Sequence, residues 1–159
     1  MKEERHCGEC TLCCKTHGVF ELLKPGGQWC VWCAVGHGCT IYSKRPKSCQ
    51  DFKCAWLMGF GLPEYRPDKT HIVPDFKEVA GLGLVLHLWA ESAEALDSLF
   101  VKRQTRLNLN AGKAVIHVPE VGNPKLYLPK GKRASDFAFR FGNLVERKVE
   151  VIEFLEGRF

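Results

Sequence analysis

The 159-residue chain is 45% hydrophobic and 26% charged, the balance of a soluble globular protein long enough to bury one real core. Its opening MKEERHCGEC lacks the apolar run of a secretory signal peptide, and the longest apolar run, Val79 to Leu86, is far too short to span a bilayer, so a cytoplasmic protein is expected. The formal charge of +5 counts cysteines as neutral; two four-thiolate zinc sites would bring it to about +1, which leaves little basic excess to attract nucleic acid.

All nine cysteines fall between Cys7 and Cys54, and none follows. Residues 7–14 are too rich in cysteine to be a core element and read as a tight turn wrapped around a metal. Thr16 to Leu23 is expected to form a short strand or helical turn beneath it, and Lys24-Pro25-Gly26-Gly27 a turn. Trp29 to Cys33 opens the second half of the cluster, and Gly36-His37-Gly38 permits a sharp return to Cys39. Arg45-Pro46 interrupts the chain, because the residue before a proline is pushed out of the helical region. Ser48 to Gly59 is expected to be helical, with Phe52 and Trp56 four apart on one face.

Gly59 to Pro67 reads as a loop, and the chain beyond it mixes strand and helix patterns. Thr70 to Val73 and Leu82 to Trp89 are predicted strands, with Val79-Ala80-Gly81 left open between them. Ser92 is the predicted N-cap of a helix that carries Ala95, Leu96, Leu99, Phe100 and Leu107 at helical spacing to about Asn110. Val115 to Val118 and Lys125 to Leu128 flank the turn sequence PEVGNP and predict a β-hairpin. From Asp136 onward, Phe137, Phe139 and Phe141 alternate as in a strand, while Phe137, Phe141, Leu144 and Leu155 also fit a helix. The fold class expected is therefore α+β. A small irregular cysteine-rich region, residues 1–59, packs against an α+β portion, residues 60–159, with a β-hairpin and one main helix. The two together make one compact unit.

The cysteines carry the chemistry. An odd count, the adjacent Cys13-Cys14 pair and the missing export signal argue against a disulfide framework. Grouping in CxxC pairs argues for metal, because a turn of that length lets both sulfurs face one ion. The expected ligand set is Cys7, Cys10, Cys13, Cys14, Cys30, Cys33, Cys39, Cys49 and Cys54. Cys10-x2-Cys13 and Cys30-x2-Cys33 have zinc-ribbon-like spacing, which would leave Cys14, Cys39, Cys49 and Cys54 for a second ion and Cys7 spare. That partition is one of several the spacing permits. Cys7-x2-Cys10-x2-Cys13 equally matches the triple that wraps a [4Fe–4S] cluster in bacterial ferredoxins, although no later cysteine has the usual proline after it. One or two zinc ions are the first expectation, and iron or a [4Fe–4S] cluster the alternative, since soft thiolates serve both. His6, His17 and His37 lie in the same window and could replace a cysteine as ligand, but with nine thiols available they are expected around the ligands or at the surface. His71, His87 and His117 read as structural. Trp29, Trp32, Phe52 and Trp56 are expected to wall the site.

The string CxxCxxCC followed by GC-x-IY-x-x-RP-x-x-C resembles the YkgJ-like cysteine-cluster family, described as zinc- or iron-chelating domains. Cys7, Cys10, Cys13 and Cys14, then Gly38 to Tyr42, Arg45-Pro46 and Cys49 carry the match, and Phe52 to Trp56 is similar to the F-x-C-x-W ending of one branch. The resemblance covers residues 7–56 and implies metal chelation rather than a defined reaction. The chain departs from many relatives in carrying both Cys30 and Cys33 where a single cysteine stands.

No Ser/His/Asp order, P-loop or HExxH motif accompanies the cluster, and Gly81-x-Gly83 lacks the third glycine of a dinucleotide loop. The acidic residues Glu146, Glu150, Glu153 and Glu156 read as a solvated face. The sequence therefore predicts a metal-binding protein with no catalytic motif of its own. An iron–sulfur redox or sensing protein, or an oxidoreductase component, is the second reading. The expected partners are a metal ion and, as a further possibility, a protein of unknown kind; nucleic acid and membrane are not expected.

Overall fold

The computed structural model describes residues 4–134 and 148–153. The segment from Asp136 read both as strand and as helix, and Leu155, lie outside these residues, as do Glu146 and Glu156. Within them the architecture is α+β: a five-stranded mixed sheet, a separate two-stranded hairpin and one long helix.

The sheet is built from β3 (Ile72–Val79), β4 (Gly83–Ala90), β5 (Val115–Val118), β6 (Lys125–Tyr127) and β7 (Glu150–Ile152), hydrogen-bonded in that order. β1 (Cys33–Ala34) and β2 (Gly38–Cys39) form the small hairpin in the cysteine region. β3 and β4 are antiparallel about a turn at Ala80 to Leu82, and β4 runs parallel to β5. A parallel neighbour needs a crossover, which α4 (Leu99–Asn110) supplies, while the short α3 (Pro67–Thr70) leads into β3. The PEVGNP turn does join antiparallel strands, with Val115 opposite Tyr127 and His117 opposite Lys125.

Side chains alternate across a strand, so the sheet has two different faces. Ile72, Leu86, Leu88, Ala90 and Val115 pack with Val101 and Leu109 of α4. Val73, Val85, Trp89, Ile116 and Leu126 point the other way and share a core with Leu12, Cys54 and Trp56 of the cysteine region. The sheet is thus a middle layer, with α4 on one face and the cysteine-rich segment on the other. Further hydrogen bonds fasten that segment. Arg5 donates to the carbonyls of Trp56, Phe60 and Gly61, each at 2.9 Å. Lys15 reaches the Glu91 carbonyl at 3.0 Å and the Glu120 carboxylate at 3.2 Å.

Three sequence expectations need correction. The strand expected at Thr70 to Val73 begins at Ile72 and continues through Pro74 to Val79. Proline is tolerated there because β3 is an edge strand, and its free carbonyl accepts from the Ala55 amide at 2.7 Å. The main helix is capped by Ser98, whose hydroxyl accepts from Val101 N, and not by Ser92; Glu94–Asp97 forms a separate 3₁₀ turn before it. The expected helix from Ser48 to Gly59 shortens to α2 (Lys47–Asp51), because Phe52 is extended and Ala55 turns away to pair with β3. Phe52 and Trp56 still reach the same core, from a bend rather than a helix face.

The middle layer carries an acid-sensitive element. His117 on β5 is buried and sits 2.8 Å from the Thr105 hydroxyl of α4. Burial, with Lys125 adding, pushes its pKa down to about 4; burial and Lys77 do the same to His87. A histidine held below its unfolded pKa of about 6.5 contributes its full stability above that value and loses it as pH falls toward 4. Each is expected to cost roughly 2 kcal/mol between pH 7 and pH 5. Denaturant titrations at the two pH values test this, and His117→Gln is expected to remove about 2 kcal/mol of the difference. An identical pH difference in wild type and variant would contradict it.

Candidate metal centre

The cysteine region is a chain of tight turns. The amide of Cys10 donates to the Cys7 carbonyl at 2.9 Å, and that of Cys33 to the Cys30 carbonyl at 3.0 Å. Each closes a CxxC segment with its two cysteines on one turn. Gly8, inside the first, has φ +53, and a Cβ there would lie 3.2 Å from the Arg66 guanidinium. A glycine is the residue that takes this conformation without strain. α1 (Cys13–Thr16) follows, and the Cys30 amide donates to the Cys14 carbonyl at 3.0 Å, which knits the two halves of the cluster together. The Gly36-His37-Gly38 return is present as the β1–β2 turn, and it sets Cys33 directly opposite Cys39. Gly36 donates its amide to the Thr11 hydroxyl at 3.1 Å, tying this hairpin to the first turn. Glu21 accepts from the amide and hydroxyl of Ser48 at 3.0 and 2.7 Å, which holds the start of α2 and, with it, Cys49.

These turns converge on one cavity of about 350 Å³. Eight of the nine cysteines line it: Cys7, Cys10, Cys13, Cys14, Cys30, Cys39, Cys49 and Cys54. Cys33 stands outside the lining, but its thiol contacts those of Cys14 and the hydroxyl of Thr11. All nine are free thiols. The contacts fall into two groups that meet at Cys7, which lies within electrostatic reach of Cys14 as well as of Cys54. Cys14 makes thiol–thiol hydrogen-bond contacts with Cys13 and Cys33, and Cys49 lies within electrostatic reach of Cys14 and Cys30. Cys54 lies within reach of Cys7 and Cys10. The proximity of Cys54 to Cys7 and Cys10 is not one that the spacing-based partition pairs, since that partition set Cys54 with Cys14, Cys39 and Cys49. Sequence distance misses it because Cys54 returns to the first turn only through the bend after α2.

Two of the four aromatic residues expected at the wall are there, and Tyr42 joins them. Trp32 and Phe52 line the cavity, Trp56 lies in the adjoining core, and Trp29 is absent from both. The sheet supplies Val73 and Lys77 instead. Of the three histidines in the window only His17 lines the cavity; His6 and His37 are exposed. His71 is exposed and paired with Glu91, while His87 and His117 are buried in the sheet.

Burial raises the thiols of Cys7, Cys10 and Cys49, and pushes Cys33 and Cys54 up to about 11. Cys14 is driven up mainly by its contact with Cys13, with burial adding. Opposing this, backbone amides are aimed at sulfur. Those of Leu12 and Asp68 donate to Cys10, and those of Leu57 and Trp56 to Cys54. Amides so placed stabilise the thiolate form. Arg45 and Arg66 act on Cys7 in the same direction. Arg45 lies 3.8 Å over the Tyr42 ring, and Arg66 is held by a bidentate pair with Asp68 at 2.6 and 2.8 Å.

Lys24 is the residue that sequence reading assigned only to a turn. It is 8% exposed, and its ammonium donates to the carbonyls of His17, Pro25 and Lys15, the last two at 3.0 and 3.4 Å. Burial lowers its pKa, and nearby Cys30, Cys14, Cys13 and Cys49 act to raise it. No sequence signal marks a buried lysine beside a Pro-Gly-Gly turn. Its role comes from the Val19–Lys24 bridge, which folds it back over the cluster.

The donors suit a soft or borderline cation. Among the described residues, however, no three Cys, His, Asp or Glu side chains already stand close enough to hold one. No helix among the described residues is long and apolar enough to cross a membrane. No family model, curated protein or solved structure matches the chain.

Proposed function

We propose that this is a metal-binding protein that holds zinc or iron through its cysteine cluster, in a reducing compartment such as the cytoplasm. The observation that carries the reading is the convergence of eight thiols, from turns spread over residues 7–54, onto one cavity. Buried neutral thiols gain little from such proximity. Thiolates gain only with a cation to offset their repulsion, and the amides at Cys10 and Cys54 favour that charged form. Cys13, Cys14, Cys30, Cys39 and Cys49 would serve one end of the cavity, with Cys33 beside Cys14 just outside its lining, and Cys7, Cys10 and Cys54 the other. A bound ion would supply cross-linking between these turns, and thereby folding free energy.

We also propose membership of the YkgJ-like cysteine-cluster family. The residues behind that resemblance are cavity residues: Gly38, Cys39, Ile41, Tyr42, Arg45, Pro46 and Cys49 all line it. The metal reading is tested by stripping the reduced full chain with a chelator and titrating it with zinc under anaerobic conditions. Uptake of one or two ions per chain is expected, with most of the nine thiols becoming protected from alkylation. Unchanged alkylation of all nine in saturating zinc would overturn it.

A further inference from the structure

His17 is placed at the cavity in a way that nothing in the cysteine pattern requires. The Thr16 hydroxyl has one proton, and it donates this to the Leu12 carbonyl at 3.3 Å. The same oxygen is hydrogen-bonded with His17 Nδ1, 2.9 Å away. In the tautomer with the hydrogen on Nδ1, this contact orients the ring and leaves the Nε2 lone pair free. Nε2 is fully covered and has no hydrogen-bond partner. The imidazole is clamped between Phe52 and Trp89, with ring centroids 4.4 Å away on each side, and its backbone carbonyl accepts from Lys24. A buried nitrogen lone pair without a donor is costly to maintain. An imidazole oriented through its other nitrogen is the usual arrangement of a metal-ligating histidine.

We propose that His17 Nε2 is a metal ligand alongside the thiols, so that at least one centre is of mixed sulfur and nitrogen composition. Thr16 is then a positioning residue, acting through Nδ1. The inference rests on the metal-binding reading but goes beyond it, since nine thiols by themselves would supply an all-sulfur shell.

X-ray absorption at the zinc edge of the reduced, zinc-loaded full chain tests it. Wild type is expected to show scatterers at about 2.0–2.1 Å beside sulfur at about 2.3 Å. His17→Gln is expected to lose the short nitrogen contribution and to bind zinc more weakly. Thr16→Val, which keeps the ligand but frees its ring, is expected to weaken binding roughly 10–100-fold. His17→Cys is expected to keep the ion in an all-sulfur shell, which preserves the test if His17→Gln does not fold. An all-sulfur shell in wild type, or a nitrogen contribution that survives in His17→Cys, overturns the inference while metal binding stands. Failure of wild type to take up zinc overturns both.

Discussion

Replacing Cys14 with serine is expected to remove at least one bound ion and to melt the cysteine region at a temperature where the sheet is still folded. Cys14 is the point where the two halves of the cluster meet. Its thiol contacts Cys13 and Cys33, and its carbonyl accepts from the Cys30 amide. A structural zinc site in a small domain is worth about 10–16 kcal/mol of apparent binding free energy, and the unfolded chain has no preformed site to compete for it. Loss of one ligand forfeits a large part of that. Cys10→Ser and Cys13→Ser are expected to act in the same direction, because both residues pack against the core shared with the sheet. Metal analysis with thermal unfolding of each variant checks this. Unchanged metal content and an unchanged melting profile would contradict it.

Lys24→Ala is expected to destabilise the chain by about 3–5 kcal/mol. Three carbonyls, of Lys15, His17 and Pro25, lose their donor together. A hydrogen bond to a charged group is worth about 1.5–3 kcal/mol, and a buried acceptor left unpaired adds its desolvation cost. The substitution also removes a positive charge that lies within electrostatic reach of Cys13, Cys14, Cys30 and Cys49. Without it their thiolates are harder to form, so zinc uptake is expected to require a higher pH than in wild type. Lys24→Arg is not expected to rescue, since a planar guanidinium does not reproduce an ammonium's three-way donation. Urea titration and chelator competition as a function of pH measure the two effects. A stability within about 0.5 kcal/mol of wild type would show that the ammonium is dispensable.

Parts of this fold are legible in the sequence because the local chemistry leaves one solution. CxxC segments close as tight turns, Gly36-His37-Gly38 can reverse where bulkier residues cannot, and PEVGNP joins two apolar runs into the β5–β6 hairpin. Other parts depend on tertiary context. Ser92 and Ser98 both precede helix-compatible residues, and local pattern does not separate them; the Ser98 hydroxyl is the one that meets a free amide at Val101. Pro74 argues against a strand until β3 is known to lie at the edge. The site divides in the same way. Its nine cysteines are evident from spacing, whereas the grouping of Cys54 with Cys7 and Cys10 depends on the bend after α2. Lys24 is missed, and His17 is not separated from His6 and His37 as a possible ligand, because what distinguishes them is burial and orientation, not residue type or interval.

The central claim is that these thiols bind metal, and the most direct measurement is made on the full chain purified anaerobically. Metal content, visible spectrum and free-thiol count are taken on one sample. Zinc at one or two ions per chain in a colourless protein, or iron with the broad visible absorbance of a thiolate-held cluster, is the predicted outcome, with most thiols unreactive until the metal is removed. A sample with zinc and iron at trace level and all nine thiols freely reactive would contradict the account.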